Sequence, residues 1–119
     1  MKTFIENWQD VEFESSSSTT PEFRAFATQF RAAIVKEIKP DFILEEFSRG
    51  HFYVSGFLKH KSTGKYIYFS VSDVRYFVKG WCTDVLVRLA EDTKDFTGGS
   101  NRTCDLKYLK QTALDVVMA

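Results

Sequence analysis

The chain is short of cysteine, proline and glycine, with two, two and six among 119 residues. Cys82 and Cys104 stand alone, whereas a small secreted domain held by disulfides carries several pairs, so the chain reads as a cytoplasmic protein with both thiols reduced. No apolar run approaches the about 18 residues of a membrane span, and the acidic and amide residues Glu6 and Asn7 interrupt any signal-like start. Charge of one sign is also missing. Sixteen basic residues balance sixteen acidic ones, so the overall charge selects neither nucleic acid nor a membrane as partner. With only two histidines, metal ligands are scarce. There is no Cys-x-x-Cys, and His51 and His60 would lie roughly 30 Å apart at the two ends of one strand, too far to share an ion. No metal and no cofactor is expected.

Aromatic residues are plentiful at 16%, with twelve Phe, five Tyr and two Trp. Residues 1–20 form an acidic lead-in carrying Phe4, Trp8 and Phe13, closed by the Ser/Thr run Ser15–Thr20, and residues 21–119 form a single domain. Thr20-Pro21-Glu22 marks a helix start. Phe23, Phe26, Ala27, Phe30, Ile34 and Ile38 then share one helical face until Pro40 stops it, while Arg24, Gln29, Arg31 and Lys36 lie largely opposite.

Four strands are predicted next. The first is Phe42–Phe47, before a turn at Ser48-Arg49-Gly50. The second alternates Phe52, Val54, Gly56 and Leu58 with Tyr53, Ser55, Phe57 and Lys59, and Lys61-Ser62-Thr63-Gly64 turns it into a third with Ile67, Phe69 and Val71. A register with Leu58 opposite Ile67, Gly56 opposite Phe69 and Val54 opposite Val71 puts the aliphatic residues on one face. Val85–Ala90 is the fourth, with Val85, Val87 and Leu89 on that face. Glu91 to Arg102 reads as a loop, and Thr103 as the cap of a last helix whose Leu106, Leu109, Ala113, Val116 and Val117 share a side. The expected fold is α+β: a four-stranded antiparallel meander with an N-terminal and a C-terminal helix packed on one face.

That leaves Tyr53, Phe57, Tyr66, Tyr68, Leu86 and Arg88 on the second face, too apolar a set for an idle surface. The lead-in arm, a second protein (or second copy of this chain) and a stacked nucleic acid are the three covers weighed. For nucleic acid, Arg49, Lys59, Lys61 and Lys65 surround these rings in a stretch free of acidic residues from Ser48 to Ser72. Against it, lysines around a turn commonly only solubilise and protect an edge.

No catalytic set is complete. Cys104, at the expected helix start, has no histidine near it in sequence, and Glu45 and Glu46, adjacent on a strand, would point to opposite faces. Gly98-Gly99-Ser100-Asn101-Arg102 ahead of a helix has the makings of an anion cradle but lacks the lysine and glycine spacing of a P-loop.

The runs Arg49–Phe57, Tyr68–Phe77 and Phe96–Asn101 resemble a family of small uncharacterised open reading frames found in conjugative elements and prophages of Gram-positive bacteria. The resemblance implies an accessory protein of a mobile genetic element, among which regulators and inhibitors of host systems are common, and it supplies no catalytic residues. The function expected is therefore non-catalytic binding of a protein partner or of itself, through Tyr53, Phe57, Tyr66, Tyr68 and Arg88. Nucleic-acid binding by the basic hairpin and a small-anion site or enzyme at the glycine loop are the alternatives.

Overall fold

The computed structural model describes residues 4, 8, 20–79, 84–95 and 99–119. Helix α1 spans Pro21–Glu37 and buries Phe23, Phe26, Ala27, Phe30 and Ile34, the face that the spacing predicts. Each buried phenylalanine contributes about 1.5–3 kcal/mol over its exposed state, which outweighs any contribution from capping. Thr20 holds the cap position without a side-chain bond, and its Oγ1 is buried with no partner.

Five antiparallel strands follow in the order β1 (Phe42–Arg49), β2 (Val54–His60), β3 (Tyr66–Val71), β4 (Val85–Ala90) and β5 (Arg102–Cys104), each beside its sequence neighbour. The β2–β3 register pairs Leu58 with Ile67, Gly56 with Phe69 and Val54 with Val71, as the alternation predicts. Helix α2 (Leu109–Met118) follows a 3-10 turn at Leu106–Tyr108. Buried side chains of both helices share one core cluster with Val54, Leu58, Ile67, Phe69, Val71, Val85 and Val87. Helix α1 lies against β1, and α2 against β3, β4 and β5. The fold is thus α+β with two helices and a five-stranded antiparallel sheet.

Four details depart from the expectation. A fifth strand takes Arg102–Cys104, which pair with Val85–Val87 of β4, so Thr103 lies in the sheet and Asp105 caps the final helical region by accepting from the Lys107 amide. The first strand runs on to Arg49 and carries a bulge between Leu44 and Glu46, which removes Glu45 and Glu46 from simple alternation. The second begins at Val54 because Phe52 adopts φ +63°, a turn conformation that ends regular pleating. Leu89 pairs with Ile67 yet is 38% exposed at the end of β4.

The Phe52 corner is held from outside the sheet. The Val74 amide donates to the Phe52 carbonyl, and the Arg75 guanidinium sits 4.6 Å over the Phe52 ring. Arg75 is in turn held by Asp73, its Nη2 2.7 Å from the carboxylate.

Candidate binding site

The second sheet face is closed at its centre. Phe57 is 1% exposed, Ser55 5% and Ala90 6%. Tyr66, Tyr68, Leu86 and Arg88 are half-buried around them. Phe57 and Tyr68 have ring centroids 5.4 Å apart, and the Arg88 guanidinium lies 4.5 Å over Tyr68 while its Nη1 donates to Asn101 at 3.3 Å. These side chains pack on one another, with Arg88 Nε buried and, among the described residues, without a hydrogen-bond partner, and Phe57 offers no ring to a partner. Tyr53 does not join them. It precedes β2, accepts at its carbonyl from the Gly50 amide, and lays its ring against Gly50. Nor do the two described rings of the lead-in arm reach this face. Phe4 packs on Phe26 and Phe30 at 6.0 and 5.7 Å, and Trp8 on Phe26 at 5.3 Å, so both enlarge the helical layer. Phe13 lies outside the described residues.

The basic hairpin is divided. Lys59 pairs with Tyr66 near the β2–β3 turn, whereas Arg49 pairs with Val54 at the other end of the same strand. Lys65 Nζ is engaged, donating to the Val117 carbonyl at the end of α2 at 3.0 Å, and Lys59 sits 5.8 Å over the Tyr66 ring. Lys61 is exposed at the turn. The four cations do not form one surface.

The glycine loop is engaged in part. Gly98 lies outside the described residues; Gly99 has φ +76° and sits on the Leu89 backbone, and Asn101 accepts from Arg88. Ser100 is exposed, and Arg102 belongs to β5. An anion cradle needs convergent free amides; of this loop, Arg102 is drawn into the pairing of β5 with β4, opposite Val87. Cys104, in β5 instead of a helix start, has its thiol pushed above the ordinary value by burial, with a hydrogen bond from Thr112 acting against that shift. This is the opposite of what an attacking thiolate requires. Cys82 lies outside the described residues. Among the described residues no group of three metal-ligating side chains forms, and no helix is long and apolar enough to cross a membrane.

A different set of residues does converge. Along α1, Arg24, Thr28 and Arg31 form a strip of the face turned away from the core, and β1 places Phe47 and Arg49 beside it. Two adjoining hollows of about 500 and 280 Å3 open between helix and strand, both lined by Thr28 and Arg49. Arg24 and Gln29 border the first, Arg31 and Phe47 the second. All three arginines are exposed, and among the described residues none has a carboxylate partner. Seven residues of helix separate Arg24 from Arg31, about 10.5 Å along the axis.

Three permanently charged guanidinium groups around one concavity, without a carboxylate partner among the described residues, make a site for carboxylate or phosphate groups, which guanidinium binds in a two-pronged fashion. The sequence alone puts Arg24 and Arg31 on a solvated helix face and Arg49 in a turn. Only the lateral packing of α1 on β1 brings them together, and no local pattern carries that information.

Comparison with protein-family models, with curated proteins and with solved structures finds no match to this chain. What the cleft does therefore follows from its own chemistry.

Proposed function

We propose that the protein is a non-catalytic binding module that takes an acidic polypeptide segment of a partner protein into the cleft between α1 and β1. The observation that carries this reading is the convergence of Arg24, Arg31 and Arg49, exposed and, among the described residues, without carboxylate partners, on a concavity with an apolar floor at Ala27 and Phe47. The lining contains no carboxylate, imidazole or thiol to accept a proton near neutral pH, so its chemistry is attraction, not turnover.

An acidic polypeptide suits it better than nucleic acid. The positive stretch is short, because β1 turns acidic at Glu45 and Glu46, both exposed, and the three lysines of the β2–β3 end do not continue it. A phosphate backbone gains affinity from a long cationic track, whereas a few carboxylates need only a few guanidinium groups. In the mobile-element setting that the sequence resemblance implies, such a module would regulate or block a host protein by occupying one of its acidic stretches.

Fluorescence anisotropy with a labelled 20-residue polyglutamate and a labelled 20-nucleotide single strand tests the reading. Polyglutamate binds, more weakly as salt rises. Arg24→Gln, Arg31→Gln and Arg49→Gln together cost about tenfold or more in affinity, since each exposed pair is worth up to about 1 kcal/mol. Equal affinity in the triple variant, or a preference for the oligonucleotide, overturns the proposal.

A further inference from the structure

β1 is an edge strand. It stands first in the sheet order and pairs only with β2, and among the described residues nothing pairs with its other side. At eight residues it is far longer than β5, the three-residue strand at the opposite edge. Alternate N–H and C=O groups of an edge strand point outward and template a further strand unless the edge is blunted. Here the blunting is uneven. The bulge between Leu44 and Glu46, with the exposed Glu45 in it, spoils the first half, while Glu46–Arg49 keep an unbroken register with Phe57–Val54 of β2.

That regular half borders the arginine cleft. Phe47 and Arg49 are two positions apart on one strand, so they share a side of the sheet. That side is the core side, since they pair with Gly56 and Val54, and both residues line the hollows beside α1.

Given an acidic polypeptide partner, as proposed above, we infer that it binds extended, as a sixth strand hydrogen-bonded to Glu46–Arg49 of β1. Its acidic side chains then occupy alternate positions, directed to Arg24, Arg31 and Arg49. The spacings agree. Side chains at i, i+2 and i+4 of a strand span about 13 Å, against about 10.5 Å along the helix between Arg24 and Arg31. Main-chain bonds supply affinity and the alternate side chains supply specificity, as in other strand additions. A helical acidic segment, by contrast, would leave the outward groups of β1 unused.

The full chain is titrated with a labelled eight-residue peptide of alternating Thr and Glu, and with two N-methylated versions, one methylated at every Thr amide and the other at every Glu amide. Charge and length are the same in all three. In a paired strand only one of these two sets of amides faces β1. One methylated peptide therefore loses about tenfold or more in affinity, several ladder bonds being lost together, while the other stays within about threefold of the parent. Bound parent peptide also slows hydrogen exchange at alternate amides between Glu46 and Arg49.

Equal effects of the two methylations overturn strand addition. If binding in that case still falls in the variant with all three arginines replaced by glutamine, the acidic-partner reading stands without it. No binding of the parent peptide overturns both. Dimerisation of the chain through β1 that excludes the peptide, detected by light scattering, also overturns the inference.

Discussion

Replacing Gly56 by alanine tests how the bulged edge strand is seated on the core. In an ordinary strand this change stabilises by roughly 0.5–1 kcal/mol, because glycine loses more chain entropy on folding. Here a Cβ would collide with the Glu46 carbonyl oxygen and stand 2.8 and 2.9 Å from two carbons of the Phe69 ring, well inside ordinary contact. Neither obstacle can step aside cheaply. Glu46 O is backbone next to the bulge, and Phe69 is fully buried, flanked by Gly56 and Val87 across the two ladders. Overpacking of this kind costs about 1–3 kcal/mol. For 119 residues each kcal/mol shifts the thermal midpoint by about 3–6 °C, giving a drop of about 3–18 °C by scanning calorimetry. Gly64→Ala is the comparison. Gly64 has φ +74° and nothing within 4 Å of the added atom, so only the left-handed conformation is penalised, by about 1–2 kcal/mol. In the Phe69→Leu background the Gly56→Ala penalty shrinks, because the two ring carbons are gone, whereas the Gly64→Ala penalty does not. A Gly56→Ala protein as stable as the parent would refute the reasoning.

Two further outcomes follow from the ionisable groups. Burial acts to raise the Asp73 carboxyl, but the hydrogen bonds and charge of Arg75 outweigh it and hold the group below its ordinary value. The native pair therefore stabilises the fold above the unfolded-state pKa of about 4 and loses that contribution as pH falls through the lower native value. Asp73→Asn accordingly lowers the urea midpoint at pH 7, and the gap to the parent closes towards pH 2; a gap of constant size contradicts the linkage. The half-buried Cys104 thiol, pushed up in pKa, reacts with iodoacetamide at pH 7 several-fold more slowly in the folded chain than in urea, as site-resolved mass spectrometry reads it, and equal rates would show it to be accessible and activated.

Much of the fold was legible because it is encoded by local period. The 3.6-residue spacing from Phe23 to Ile38 identified α1 and its buried side. The two-residue alternation on either side of Gly64 fixed the β2–β3 register pair by pair. The spacing from Leu106 to Val117 identified the apolar side of the last helical region. Each signal lies within about one helical turn or two strand positions, the range over which a side chain's direction follows directly from backbone geometry.

What lay beyond that range was decided by packing. Arg102–Cys104 read as loop and cap because three residues carry no period, and they became a strand only because β4 presents a partner edge. The bulge at Glu45 and the turn conformation of Phe52 come from how β1 and the Asp73–Arg75 clamp fit around the core, not from the preferences of those residues. The surplus of aromatic rings was correctly seen in composition, but its destination was not: Phe57 went into a closed sheet face, and Phe4 and Trp8 onto α1. The arginine cleft depends on the same kind of fact. Arg24 and Arg31 are solvated residues of a helix, and Arg49 is the last residue of a strand. They act on one ligand only because tertiary packing sets that helix beside that strand, a relation between segments that no pattern within either segment encodes.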